Sequence, residues 1–275
     1  MTSRAERTVL VTGANSGIGR ATVLEAARRG FHAVGSVRSG EKAADVKAAA
    51  AEAGVAVDTV ILDVTDEDGC AEVIGRLRPW GLVNNAGYGT VGAIEEVDDG
   101  EARRLLETMV VAPARLCRLA LPHMREAGGG RIVNMSSILG RTAPPLTGWY
   151  AAAKHALEAL SDALRVEVAS AGVRVVLVEP GGFRTGIWDE VDRDTARRAD
   201  SPYGRAYRRS ALGLRLAGPV MGDPRMVAMV VGHALTTPRP LGRYLVGVDA
   251  VTMSLAQRLT PAVVRDRVSR LGLGL

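Results

Sequence analysis

Thr8-Val9-Leu10-Val11-Thr12-Gly13-Ala14-Asn15-Ser16-Gly17-Ile18-Gly19 runs straight into Arg20-Ala21-Thr22-Val23-Leu24-Glu25. The first five residues are mostly β-branched and read as a strand, and the last six as the start of a helix reaching about Arg29. Between them the glycines let the backbone turn tightly and come close to a pyrophosphate, whose charge would sit at the helix N-terminus. The spacing is G-x-x-x-G-x-G, so Gly13, Asn15, Ser16, Gly17, Ile18 and Gly19 are the candidate cradle. Its place at the first strand-to-helix junction is what gives the loop weight.

Outward from that junction, strand-like and helix-like runs alternate. Further strands are expected at Phe31–Val37, Val55–Leu62, Gly81–Asn84, Arg131–Met135, Val173–Val178 and Arg243–Val248. Helices are expected over about Glu41–Ala53, from a Thr65 or Asp66 cap to about Arg78, and over about Tyr150–Ser170. Another long helix opens at Asp98 or Asp99, with Leu105, Leu106, Met109, Val110, Leu116, Leu119 and Ala120 on one face. Pro113 should bend or break it. Short buried strands alternating with helices argue for an α/β chain: a Rossmann-type, doubly wound, seven-stranded parallel sheet with helices on both faces. With no repeat and no low-complexity linker, residues 1–275 read as one domain. Residues 184–223 interrupt the alternation and read as a substrate flap inserted into it.

Composition limits the alternatives. The chain of 275 residues is 47% hydrophobic and 24% charged, ordinary globular values that exclude a disordered or fibrous chain. No apolar run approaches a transmembrane length and the N-terminus is not a secretory signal. Cys70 and Cys117 alone make no disulfide framework, so a soluble cytoplasmic protein is expected. The net charge of +5 comes from arginines scattered among 30 acidic residues, which does not suggest nucleic-acid binding. His32, His123, His155 and His233 lack metal-ligand spacing, so no metal is expected. Rare residues are more telling: lysine occurs only at 42, 47 and 154, and asparagine only at 15, 84, 85 and 134.

Gly87-Tyr88-Gly89-Thr90-Val91-Gly92 matches the literal G-x-G-x-x-G, but no clear helix follows it. It reads as a loop at the carboxyl edge of the sheet. The second strand ends Gly35-Ser36-Val37-Arg38-Ser39, without the carboxylate that an NAD ribose diol calls for. Arg38, with Ser36 or Ser39, could instead hold a 2′-phosphate, favouring NADP(H) over NAD(H).

Tyr150 and Lys154 stand four residues apart, on one face of a helix. With five tyrosines and three lysines in the chain, chance would give only roughly 0.05 such pairs. A neighbouring ammonium should lower the phenol toward working pH and make Tyr150 a general acid or base. Ser136-Ser137 ends the fifth strand just ahead of this helix, where a hydroxyl can face the same crevice.

On these residues the chain resembles the short-chain dehydrogenase/reductase family, in its branch of about 250 residues, over roughly residues 7–250. Thr12-Gly13-x-x-x-Gly17-Ile18-Gly19, Asn84-Asn85-Ala86-Gly87, the Ser137/Tyr150/Lys154 set, Pro180-Gly181-x-x-x-Thr185 and Leu62-Asp63-Val64 match its motifs in order. The resemblance implies hydride transfer between a nicotinamide cofactor and a small-molecule carbonyl or alcohol. It places Tyr150 as proton donor or acceptor, Ser137 on the substrate oxygen, and Lys154 on the nicotinamide ribose. Asp63 and Val64 would lie near the adenine and Asn85, Ala86 and Gly87 at the adenosine side. Pro180, Gly181 and Thr185 would meet nicotinamide and pyrophosphate. It also implies a homodimer or homotetramer built on the helices of residues 100–127 and 150–170.

One position departs from the pattern. Many members carry an asparagine where this chain has Met109, and it is thought to hold the water that links the lysine to solvent. A thioether cannot donate that hydrogen bond. Either the proton route runs elsewhere in a working enzyme, or the chain is a catalytically weakened dinucleotide-binding regulator or scaffold. Trp149, Leu139, Leu146, Ile187, Trp188, Leu212, Leu214 and Leu216 are candidates to line an apolar pocket for a lipophilic, steroid- or retinoid-like ketone or alcohol. Arginines 193, 197, 198, 205, 208 and 209 could instead meet an anionic carrier thioester, or simply form a solvated helix face.

Overall fold

The structure, a computed structural model, describes residues 3–185, 193–198, 200–218 and 221–275. Its strands are β1 (Thr8–Val11), β2 (His32–Val37), β3 (Asp58–Ile61), β4 (Gly81–Asn84), β5 (Gly130–Met135), β6 (Val173–Pro180) and β7 (Arg243–Val246). They form one parallel sheet in the order β3-β2-β1-β4-β5-β6-β7. The helices are α1 (Gly17–Arg28), α2 (Gly40–Glu52), α3 (Glu67–Leu77), α4 (Asp99–Leu106), α5 (Ala112–Glu126) and α6 (Gly148–Glu167). After β6 come α7 (Gly204–Ala217), α8 (Pro224–Thr236), α9 (Val248–Leu259) and α10 (Ala262–Leu273). The chain is a single Rossmann-like domain.

Alternation along each strand divides the core into two layers. Val9, Val11, Val83, Val133 and Val176 pack with Val23 of α1, Val46 of α2 and Val227 and Leu235 of α8. Leu10, Leu82, Ile132 and Val175 pack on the other face with Val73 and Ile74 of α3 and Leu116 and Met124 of α5. Both layers are closed to water, Leu10 and Leu82 being fully buried. Truncating either to alanine would cost about 2–5 kcal/mol. The chain reverses its direction across the sheet between β1 and β4, and the crevice beyond their carboxyl ends is where an open α/β sheet takes ligands.

Three local outcomes differ from the sequence reading. β3 covers only Asp58–Ile61 instead of 55–62, because β2 offers it partners only from Val34 to Val37. β7 stops at Val246: Gly247 has φ +106° and turns the chain, so Val248 begins a helix and not the end of a strand. The long helix is broken into α4 and α5 by a π-helical turn over Glu107–Val111, where the Ala112 N–H reaches back to the Glu107 carbonyl. Pro113 has no N–H to give the Met109 carbonyl, so the ladder cannot continue in α register through this point.

The caps follow the sequence. Asp66 accepts from the Gly69 N–H at 3.1 Å and Asp98 from the Glu101 N–H at 2.8 Å, so the first turns of α3 and α4 start where expected.

Candidate active site

Apart from Ser39, every cofactor and catalytic candidate named from the sequence comes to one open cleft of about 2510 Å³ at the carboxyl edge of the sheet. Gly13, Asn15, Ser16, Gly17, Ile18 and Gly19 line one side, and Arg38, Asp63 and Val64 the rim beyond them. Asn85, Ala86 and Gly87 line the middle, with Ser137, Tyr150, Lys154, Pro180, Gly181 and Thr185 on the other side.

The glycine loop is held by the next strand end. Thr12 Oγ1 accepts from the N–H groups of Asn85 and Ala86, each at 3.0 Å, and Asn85 Nδ2 donates to the Thr12 carbonyl at 2.9 Å. Gly13 has φ +66°, and a Cβ at Gly19 would fall on the Gly13 carbonyl oxygen and the Asn85 amide, so these two positions admit only glycine. Asn85 therefore spends its amide on shaping the loop. At the start of α1 the Ser16 side chain makes no cap bond, which leaves the first-turn N–H groups turned to the cleft.

The β2 end divides the roles that the sequence left together. Ser39 caps α2, accepting from the Lys42 N–H at 3.3 Å. Ser36 lines the cleft, and its hydroxyl is buried with no hydrogen-bond partner among the described residues. Arg38 is exposed on the rim with no salt-bridge partner among the described residues. It faces Asp63, whose carboxyl is held below its usual range by the Thr65 backbone N–H, with the Arg38 charge adding to the effect. A buried unpaired hydroxyl, an unspent guanidinium, open helix N–H groups and a glycine-only loop fit a phosphorylated dinucleotide. Gly13, Ser16 to Gly19, Ser36 and Arg38 would hold its phosphates.

At the other end, the Ser137 and Tyr150 side chains face the same part of the cleft, with the serine hydroxyl drawing the phenol pKa down. Ser137 Oγ accepts from the Leu139 N–H at 3.2 Å, which fixes it at the end of β5. Lys154 is buried, and its Nζ donates to the Met135 carbonyl at 2.8 Å, 5.6 Å from the centre of the Tyr150 ring. Burial pushes the Tyr150 phenol up to about 12, against the pull of Ser137. Burial likewise pushes Lys154 down to about 8, against the pull of Glu158. The expected lowering of Tyr150 by the ammonium is thus not present in the protein alone. Desolvation outweighs it, because the ammonium is turned to the Met135 carbonyl and not to the phenolic oxygen.

Met109 sits in the π turn, 2% exposed, packed with Leu105 and Ala153 and against Trp149 and Tyr150. A Cβ at Gly87 would lie 2.9 Å from its Cε, so a larger residue there would require the methionine methyl end to shift. The Gly87–Gly92 stretch is a loop, as its context indicated.

Several residues of the site were not anticipated. Glu158 lies one turn beyond Lys154 on α6 and is buried, as is Glu179 at the end of β6. Arg243 Nε donates to Glu158 at 3.1 Å, and Arg141 holds Glu179 by two bonds, one of 3.0 Å. Burial first, and then the Glu179 charge, hold the Glu158 carboxyl above its usual range. Spacing alone could have found Glu158, since i and i+4 share a face. Asp249 of α9 accepts from the Gly182 N–H and braces the turn after Pro180. Only its place after the last strand hinted at that.

Residues 184–223 leave and return through one neck, where Phe183 bridges Gly222 and the Arg184 N–H meets the Gly222 carbonyl at 3.0 Å. Tyr207 of α7 is fully buried; its hydroxyl accepts from the Ala93 N–H and donates to Glu96. Arg198 ties the same excursion to the Val91 carbonyl and Glu101. Of the apolar candidates, Leu139 and Leu214 line the cleft. Leu146 and Trp149 pack into side clusters, and Leu212 and Leu216 face solvent. Ile187 and Trp188 lie outside the described residues. Among the candidate arginines, 193 and 197 line the cleft, whereas 198 and 209 bind backbone carbonyls.

A family model described as short chain dehydrogenase matches residues 7–196. Retinol dehydrogenase 5 of Mus musculus is 32% identical over 94% of this chain and 86% of its own length. The crystal structure of a short-chain dehydrogenase from Streptomyces avermitilis superposes with a TM-score of 0.79, at 35% identity over 98% of this chain and 96% of that one. A metagenomic short-chain oxidoreductase solved in complex with NADP is 26% identical, with a TM-score of 0.69 over 89% of this chain and 98% of its own. No described helix is long and apolar enough to cross a membrane.

Proposed function

The chain belongs to the short-chain dehydrogenase family of nicotinamide-dependent oxidoreductases, and on that premise we propose that it interconverts a lipophilic ketone and its secondary alcohol with NADP(H). The observation that carries this reading is Ser137 and Tyr150 beside buried Lys154, whose Nζ lies 5.6 Å from the Tyr150 ring centre, in the same cleft as the glycine loop. When bound, the nicotinamide supplies or accepts the hydride. Tyr150, protonated because burial holds it to about 12, is set to give its phenolic proton to a carbonyl oxygen. Ser137 donates to the same oxygen and fixes its position. Lys154 binds on the ribose side and passes its proton toward Tyr150.

The NADP preference rests on Arg38 and the unpaired Ser36 hydroxyl, and on the absence of a carboxylate at the end of β2. The lipophilic substrate rests on Leu139, Leu214, Phe183 and Met253 along the cleft and on the likeness to a retinol dehydrogenase. The described residues 193–198 and 200–218, pinned by Tyr207 and Arg198, would form the flap beside that substrate. With Met109 in place of a polar group, the role we assign to Glu158, buried one turn beyond Lys154 on α6, is to hold the ammonium's pKa up through its charge. The Ser137, Tyr150 and Lys154 set, complete in one cleft, favours a working enzyme over a weakened regulator. NADPH oxidation with a panel of steroid-like, retinoid-like and small polar carbonyls tests the reading. Turnover of the lipophilic members, lost by about 10²–10⁴-fold in Tyr150→Phe with NADPH binding retained, is the expected result. Preference for small sugars, or activity unaltered by that change, would overturn it.

A further inference from the structure

Outside the cleft, the C-terminal helices carry apolar residues on their solvent side. On α9, Val248, Val251, Leu255 and Leu259 recur at helical spacing opposite buried Ala250, and Val248 and Leu259 are 82% and 76% exposed. On α10, Val264, Val268 and Leu271 recur at i, i+4 and i+7 and all face solvent. On α7, Leu212 and Leu216 do the same one turn apart. α7 and α10 are joined through Arg209, which donates to the Leu271 carbonyl at 3.1 Å.

The charge on α7 and α10 is one-sided, while Asp249 and Arg258 balance on α9. α7 carries Arg205, Arg208, Arg209 and Arg215 with no carboxylate, and α10 carries Arg265, Arg267 and Arg270 against Asp266 alone. Seven arginines less one aspartate leave +6 on two helices, more than the +5 of the whole chain. None of the seven has a salt-bridge partner among the described residues. Exposed apolar stripes flanked by uncompensated arginines are the composition of a helix that lies in a lipid interface. A second copy of the chain would set this positive surface against itself, whereas anionic headgroups complement it. The same helices reach the rim of the cleft at Leu214, Val248, Met253 and Leu273.

We propose that α7, α9 and α10 form a docking surface for the anionic face of a lipid bilayer, with the cleft opening beside it. The docking does not depend on the reductase reading, although a lipophilic substrate would then enter from the bilayer side. The full chain is sedimented with vesicles of phosphatidylcholine, with or without about a third phosphatidylglycerol, at low and high salt. Binding to the anionic vesicles that fades in high salt is expected. Arg267→Gln with Arg270→Gln should weaken it about 25-fold, at about five-fold per charge, and Val268→Glu with Leu271→Glu should abolish it. Lys47→Gln with Arg76→Gln, on the far helices α2 and α3, should leave it unchanged. NADPH titration of the same variants should be unaltered, which separates this result from any failure of the reductase reading. No binding by the wild type, or equal loss in the α2/α3 control, overturns the proposal. So does a dimer that the apolar variants dissociate with no vesicle binding, because a second copy would then be the occupant.

Discussion

Replacing Met109 with asparagine restores the residue that the family pattern expects and so tests whether the proton route has moved. The side chain is 2% exposed and packs in a small apolar cluster with Leu105, Ala153, Trp149 and Tyr150. Losing its burial costs about 1.5–3 kcal/mol, and an amide left unpaired in that cluster adds about 1–3 kcal/mol. One compensation is on hand: the Trp149 indole N–H is buried with no partner among the described residues, and an amide oxygen could accept from it. The net expectation is about 2–4 kcal/mol, a fall in Tm of roughly 5–15 °C. Thermal melting followed by circular dichroism reads this, with Met109→Leu as a volume-conserving control that costs less than about 1.5 kcal/mol. With NADPH and carbonyl saturating, kcat should stay within about three-fold of wild type, well under the 1.36 kcal/mol that a ten-fold change represents. A rise in kcat of about a hundred-fold would refute the reasoning. Met109 would then be a broken relay, and the wild-type chain a weakened enzyme.

Two further substitutions probe the ends of the cleft. Lys154 is held near 8 by burial and pulled up by Glu158, so kcat/KM for reduction should be level below about pH 8 and decline above it as the ammonium is lost. Glu158→Gln removes the upward pull and should move that break to lower pH. A role confined to bracing α6 against β7 would lower Tm and leave the break in place. The same depression means that burying the ammonium costs stability below about pH 8, a cost relieved as pH rises toward the ordinary 10.5. Arg38→Ala should weaken NADPH binding by about 10–100-fold, one or two charge-assisted hydrogen bonds, and NADH binding by no more than about two-fold. Equal loss for both cofactors in a fluorescence titration would remove Arg38 from phosphate recognition.

The sheet and the location of the cleft were legible because they depend on local chemistry. A strand buried on both faces must be apolar throughout, as Val9 to Val11 is, and the loop after it must be glycine where φ is positive or a carbonyl stands close. Element ends were less legible because partners set them. β3 is short because β2 offers four partners, and β7 stops because Gly247 turns the chain at φ +106°. The apolar candidates were chosen by type alone. Hydrophobicity does not say which side of a helix faces the cleft, so Leu214 lines it while Leu212 and Leu216, on the same helix, face water.

The rare residues show where composition informs and where it misleads. All four asparagines lie at or beside the cleft, yet three of them act on the protein and not on a ligand. Asn84 donates to Asn134 at 2.8 Å, Asn134 to Ser161 at 2.8 Å, and Asn85 to the glycine loop. They cross-link β4, β5, α6 and the loop after β1, the elements whose ends form the cleft walls. The rare lysine is different: among the described residues its one hydrogen bond is to the Met135 carbonyl, which does not call for an ammonium, and burial drives it toward neutrality. A group kept at that cost, against a buried carboxylate one turn away, is better explained by a proton to be handled than by packing. On that argument the chemical weight of the site falls on Tyr150, Lys154 and Glu158 along one face of α6. The asparagines are what keep the opposing walls in register with that face.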